Sequence, residues 1–336
     1  FHEELLDTLG NYNEKMIEVL GFRGSAKSTF GSLALPLWAA LEQPKLYPFI
    51  IPVADTGAQA DMNIGNIKEE LENNILIRQD YGNVSGRFGE DFTLESEEEW
   101  KARNMLLSNG VRILARSRGQ KIRGLRHRQS RPSLVVIDDP VDLEWVRTKE
   151  NRDKTERWLR GEVIPAINEV HGRLVVIGNQ LHTDALMARL MRYKSFKHLE
   201  YSLIKDDKTR WLGKYPTQKA LDDQRDKVGV TAWQREYLLK IVPEEGADIK
   251  DEWIRYYDLE PPEIQTGLSG TGVDLAISKK ETADCTSMVS GTSFVKDGIP
   301  KIYIKPNPVN ARLSFHETIE TTKAMAVVNP FSLFFV

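Results

Sequence analysis

The residues with the most evident chemical use are Gly21-Phe22-Arg23-Gly24-Ser25-Ala26-Lys27-Ser28-Thr29. A glycine-rich turn ending in Lys-Ser, at the start of a helix, presents backbone N–H groups to phosphate oxygens. The lysine then reaches the β- and γ-phosphates of ATP, and the adjoining hydroxyl sits on Mg²⁺. Gly21, Gly24, Ser25, Ala26, Lys27, Ser28 and Thr29 are the expected nucleotide-binding set. Ala26 replaces a glycine usual in such loops, and its methyl group is tolerated if the residue keeps a negative φ. The metal also needs a carboxylate at the tip of a buried neighbouring strand. Leu134-Val135-Val136-Ile137-Asp138-Asp139 offers Asp138 for the Mg²⁺ shell and Asp139 to orient or deprotonate the attacking water, with Glu144 as the alternative base. A third apolar run, Leu174–Ile177, leads into Gly178-Asn179-Gln180, where Asn179 and Gln180 can sense a γ-phosphate.

These residues require strands that deliver them to one sheet edge. Short β-branched runs at Met16–Leu20, Phe49–Ala54, Val111–Ala115, Leu134–Ile137 and Leu174–Ile177 alternate with longer helical patterns. Continuously apolar runs suit strands covered on both faces, so the fold class is α/β, a P-loop NTPase with a doubly wound, mostly parallel sheet. Pro52 places the second strand near an edge or ends it early. The expected P-loop ATPase domain covers 1–204. A polar stretch, 205–263, follows with amphipathic helices at Thr217 to Lys227 and around Trp233 to Leu239, and reads as a helical linker subdomain. Strands return over 264–336: Gly272–Ile277, then Thr286–Phe294 and Ile299–Ile304 joined at Lys296-Asp297-Gly298 as a hairpin. A helix from Ser314 to Met325 and a strand at Phe331–Val336 complete this third part.

Charge is segregated. Between Lys101 and Ile137 there is no acidic residue, while Lys101, Arg103, Arg112, Arg116, Arg118, Lys121, Arg123, Arg126, Arg128 and Arg131 all fall there. Arginine suits phosphate geometry, and two uses compete: tracking a DNA backbone, or reaching a neighbouring subunit's nucleotide as an arginine finger. The segment Arg116 to Gly124, with glycine at 119 and 124, reads as a mobile loop. Composition excludes other classes. Of 336 residues, 46 are Lys or Arg against 49 Asp or Glu, which rules out a uniformly basic chain coat. The single Cys285 allows no internal disulfide and no cysteine-built zinc site. No apolar run approaches the ~20 residues of a membrane span. The sequence opens at Phe1 and closes on an apolar run, so both ends are expected to be cut.

Taken together, these motifs resemble the large terminase subunit of tailed double-stranded DNA phages. The resemblance is carried by Arg23 four residues before Lys27, the Asp138-Asp139 strand end, Gly178-Asn179-Gln180-Leu181-His182-Thr183-Asp184-Ala185-Leu186, Trp233-Gln234-Arg235-Glu236-Tyr237-Leu238, Glu252-Trp253-Ile254, and Gly272-Val273-Asp274-Leu275-Ala276 with Ala283-Asp284-Cys285-Thr286. It implies an ATP-driven motor that moves viral double-stranded DNA into a procapsid, and an RNase H-like α/β nuclease, truncated here, that cuts concatemers. Under it, Lys27, Ser28, Asp138 and Asp139 match the hydrolytic site, Arg23 the loop arginine, Asn179 the coupling segment, and Arg123 or Arg126 an inter-subunit arginine. Arg116, Arg118, Lys121 and Arg128 would contact DNA. Asp274 would be the first nuclease ligand for Mg²⁺ or Mn²⁺, the later carboxylates lying past Val336. Implied partners are the portal protein, the small terminase subunit and further copies in a ring, in the host cytoplasm and not at a membrane. A helicase-like translocase and a nucleotide-binding assembly switch with little turnover are the alternatives.

Overall fold

The protein was analysed as a computed structural model that describes residues 1–84, 100–101, 103–241, 255–257, 267–276, 285–296, 298–329 and 332–335. The chain divides into two compact units, Phe1–Gly246 and Ala247–Val336. No described helix is long and apolar enough to cross a membrane.

The first unit is built on a sheet of β1 (Met16–Gly21), β2 (Phe49–Ala54), β3 (Trp100–Lys101), β4 (Asn104–Leu106), β5 (Arg112–Leu114), β6 (Arg116–Ser117), β7 (Leu134–Asp138), β8 (Arg173–Gly178) and β9 (Lys197–Tyr201). Their order is β3-β4-β5-β2-β7-β8-β1-β9, with β6 also pairing β2. The pairs β2–β5, β2–β6, β2–β7, β7–β8, β8–β1 and β1–β9 are parallel, and only β3–β4 and β4–β5 run antiparallel at one edge. Strands β2, β7 and β8 are buried at every residue, as expected of a sheet sandwiched between helical layers. One apolar cluster, including Ile17, Val19, Ile50, Val136 and Val175, forms on one side; another, including Leu20, Ile51, Val135, Leu174 and Leu186, forms on the other.

Pro52 does not put β2 at an edge. The strand is interior and runs its full length, with Pro52 opposite Val136 of β7. On its other side β2 meets β5 at Phe49 and Ile50 and β6 at Val53 and Ala54, so the proline falls at the break between those two short strands. The missing N–H therefore costs no ladder bond there.

The linker stretch also departs from expectation. After the small hairpin β10 (Ile204–Lys205) and β11 (Lys208–Thr209), its helix Gln218–Val228 and the π-helical turn Trp233–Tyr237 belong to the first unit. Leu221, Trp233 and Tyr237 share a buried cluster with Phe22, Leu203 and Tyr215. An amphipathic helix must cover its apolar face, and Phe22, in the loop after β1, is part of the cover.

In the second unit, β12 (Leu268–Asp274), β13 (Thr286–Lys296) and β14 (Ile299–Ile304) form an antiparallel meander, with β15 (Val309–Ala311) on β13. The helix Phe315–Val328 starts at Ser314, which forms a reciprocal capping box with Glu317. It leads to β16 (Leu333–Phe335), which returns parallel to β12, Thr271 opposite Phe334.

Candidate nucleotide site

Four chain segments converge at the C-terminal edge of the first unit's sheet: the loop after β1 and the ends of β7 and β8, joined by the turn Trp233–Tyr237. The loop's backbone has two left-handed residues, Gly24 at φ 77° and Ala26 at φ 65°. Ala26 therefore does not keep a negative φ, and the sequence expectation is corrected. The turn into the helix fixes that conformation, and alanine adopts it at a cost. At Gly21 an added Cβ would stand 2.9 Å from Ser25 Oγ and 3.0 Å from Lys27 Cδ, so both side chains would have to shift to admit it.

The helix after the loop starts with a π-helical turn, Thr29–Ala34. Gly31 on this turn lets the backbone lie against β8, where an added Cβ would fall 1.8 Å from Ile177 Cδ1. The approach carries two hydroxyls onto one carboxylate. Ser28 Oγ donates to Asp138 Oδ1 at 3.0 Å, and Ser32 Oγ donates to Asp138 Oδ2 at 2.8 Å. Burial raises the Asp138 pKa, while the two serines and Lys27 pull it back. Lys27 is itself buried. Ser25 Oγ and Asn179 Oδ1 are buried polar atoms without a hydrogen-bond partner among the described residues. A buried polar atom of this kind calls for a partner from outside the chain, such as water, an ion or a ligand. Thr29 is exposed, and Gln180 is half-buried in the loop after β8.

Asp139 also sits in the left-handed region, at φ 43°, with its N–H donating to Ile177 O at 2.8 Å. Burial pushes its carboxyl up to about 6; Lys27 and Arg23 oppose this, while Asp138 and Glu236 add to it. A carboxylate with a pKa near neutrality is suited to taking a proton. Glu144 is exposed beside the turn Trp145–Arg147. His182 is a loop histidine whose Nδ1 accepts from Asp184 N at 2.9 Å.

Glu236 was not singled out as a site residue from sequence. Its carboxylate is buried, and Asn179 Nδ2 donates to its Oε2 at 2.8 Å. Arg23 lies 3.9 Å from the same oxygen, Arg235 Nε donates to Oε1 at 3.1 Å, and Arg23 N donates to Glu236 O at 2.7 Å. Lys214 Nζ donates to Gly24 O at 3.0 Å. Glu236 lies within Trp233–Leu238, one of the segments that carry the family resemblance, but its place beside Asn179 and Arg23 depends on contacts with remote segments. Ser32, by contrast, had a usable signal: it follows Ser28 by one turn.

The basic segment is more ordered than a mobile loop. Arg116 and Ser117 pair with β2, Arg118 N donates to Ala54 O at 2.9 Å, and Ile122 is fully buried. Arg118 pairs with Asp55 at 2.9 Å and lies 3.9 Å above the Trp145 ring, so its guanidinium is committed internally. Arg103 is paired with Asp61, Arg112 donates to Asn104 at 2.8 Å, and Arg131 pairs with Glu169 at 3.3 Å. Arg116 is half-buried, and burial lowers its pKa. Lys121, Arg123, Arg126 and Arg128 are exposed, as is Arg131 beside Glu169.

In the second unit, Asp274 ends β12 and is exposed. No group of three metal-binding side chains occurs among the described residues, and Asp284 lies outside them.

No protein-family model and no curated protein sequence matches the chain. Solved structures do. The chain is similar to bacteriophage large terminases. The HK97 bacteriophage large terminase is 16% identical, with a TM-score of 0.44, over 96% of this chain and 65% of that one. The chain thus spans less than two thirds of that protein's length. The Thermus phage P74-26 large terminase ATPase domain is 11% identical, with a TM-score of 0.47, over 70% of this chain and 92% of that one. The bacteriophage Phi-29 genome packaging motor assembly is 10% identical, with a TM-score of 0.40, over 96% and 91%.

Proposed function

We propose that the first unit is an ATP-hydrolysing motor that drives viral double-stranded DNA into a procapsid. The observation that carries this is the meeting of Ser28 and Asp138, 110 positions apart in sequence, at 3.0 Å beside a buried Lys27. A hydroxyl and a carboxylate oxygen are hard donors of the kind Mg²⁺ takes, and the unpartnered Ser25 Oγ fits a site completed by ligand. Ser28 and Asp138 would hold Mg²⁺, which when bound neutralises developing phosphate charge. The loop amides and Lys27 would grip the triphosphate. Asp139, with its raised pKa, would orient a water in line with the γ-phosphate and accept its proton.

Lys121, Arg123, Arg126 and Arg128 would serve DNA or a neighbouring subunit's nucleotide. A ring on the portal protein, delivery of DNA by a small terminase subunit, and a host cytoplasmic setting follow from the same proposal. So does a nuclease role for the second unit, with Asp274 as a Mg²⁺ or Mn²⁺ ligand; the parallel return of β16 beside β12 favours it. The test is steady-state ATPase activity with and without double-stranded DNA. Turnover stimulated by DNA, and lost in both Lys27→Ala and Asp138→Asn, is the expected result. ATP binding with negligible turnover would instead make the chain an assembly switch.

A further inference from the structure

The helical segment after β11 is not a passive neighbour of the phosphate loop. It touches the loop through three kinds of contact: the Glu236 O bond to Arg23 N, the Lys214 bond to Gly24 O, and the apolar cluster around Phe22. A fourth contact is chemically different. The Glu236 carboxylate takes a hydrogen bond from Asn179 at the end of β8 and faces Arg23 from the loop, while its charge raises the pKa of Asp139. Asn179 and Arg23 are the donors that a terminal phosphate in this site would use. A carboxylate oxygen offers them the same acceptor chemistry that a phosphate oxygen does.

We propose that Glu236 is a positioning residue that holds Asn179 and Arg23 until the terminal phosphate of a nucleoside triphosphate takes those donors. The inference rests on the nucleotide role proposed above. Two anions cannot share one pair of donors beside Asp138 and Asp139 without mutual repulsion. Phosphate occupancy therefore loosens Glu236, and with it the turn Trp233–Tyr237, whose Trp233 and Tyr237 rings stack at 4.9 Å in the cluster beneath. A diphosphate lacks the competing group and leaves the contact in place. The segment thereby distinguishes triphosphate from diphosphate, which is what a motor needs in order to link a chemical step to movement.

Amide hydrogen exchange read by mass spectrometry on the full chain tests this. With Mg²⁺ and a slowly hydrolysed ATP analogue, amides of 230–238 should exchange about tenfold faster than with ADP, the factor that roughly 1.4 kcal/mol represents. Glu236→Ala should show the fast exchange without nucleotide, and the analogue should add nothing further. Asn179→Ala approaches the same contact from the other side and should behave alike if Glu236→Ala fails to fold. Binding of a fluorescent ATP analogue is measured in the same samples. Absence of binding overturns the nucleotide role itself. Binding with equal exchange under both nucleotides, or slow exchange in both folded variants, overturns the Glu236 proposal alone.

Discussion

Replacing Ala26 by glycine gives opposite signs under the two backbone accounts of the loop at 21–29. At φ 65° an alanine pays roughly 1–2 kcal/mol for its Cβ against the following carbonyl. Glycine removes that strain but adds unfolded-chain freedom worth about 0.4–1 kcal/mol. The net expectation is a gain of about 0.7 kcal/mol. For a unit of this size that amounts to a thermal midpoint about 1–3 °C higher. Were Ala26 at a negative φ, glycine would lower stability by roughly 0.5–1 kcal/mol. Ala26→Val sharpens the contrast, because a β-branched side chain is a genuine outlier at positive φ and should lower the midpoint well below the parent. Thermal unfolding followed by tryptophan fluorescence suits the measurement, since of the seven tryptophans only Trp253 lies beyond residue 246. A fall in midpoint for Ala26→Gly, or an unchanged one for Ala26→Val, would refute the left-handed loop.

Gly31→Ala should cost about 1–2 kcal/mol by driving a methyl into Ile177, and Ile177→Val in the same chain should restore most of it, read by urea unfolding. Glu18, buried in β1, lies 2.7 Å from His198 Nδ1, and His198 Nε2 meets Tyr193 O at 3.1 Å. Burial, then Glu200, pushes the Glu18 carboxyl up to about 8. The folded state thus keeps on Glu18 a proton that an unfolded glutamate has already released, so this contribution to stability is lost as pH rises. Stability should therefore fall as pH rises from about 4.5 towards about 8, and Glu18→Gln should flatten that slope; an equal slope in the variant would dismiss Glu18 as its source. Arg118→Ala should lower stability and leave DNA affinity's salt dependence unchanged, whereas replacing Lys121, Arg123 and Arg126 together should reduce the log–log slope by roughly 3. Loss of ATPase with an unchanged slope would assign those three to a neighbouring nucleotide instead of DNA.

How much was legible from sequence differs by residue. The strand ends that carry Asp138 and Asn179 were readable because continuous apolar runs define buried parallel strands and place their following residues at one edge. Pro52 was misjudged because its tolerance depends on a gap between two partners, β5 and β6, that no local pattern announces. The ten basic residues looked alike as letters. Whether one is spent on Asp55 and Trp145, as Arg118 is, or left exposed, as Arg123 is, depends on what remote segments bring beside it. Ala26 shows the same limit at one dihedral, where the loop's closure and not the residue's own preference sets φ.

The sequence by itself marked the strands β1, β2, β5, β7 and β8, the glycine-rich turn at 21–29 and the Asp138-Asp139 strand end. Those features follow from hydrophobic periodicity and turn chemistry within a few residues. Only the tertiary structure decided that Ser32 joins Ser28 on Asp138, that Asp139 is buried enough to titrate near neutrality, and that Glu236 stands against Asn179. Desolvation and hydrogen bonding between remote segments arise from packing of residues as far apart as Ser28 and Asp138, 110 positions, and a linear pattern carries no record of those distances.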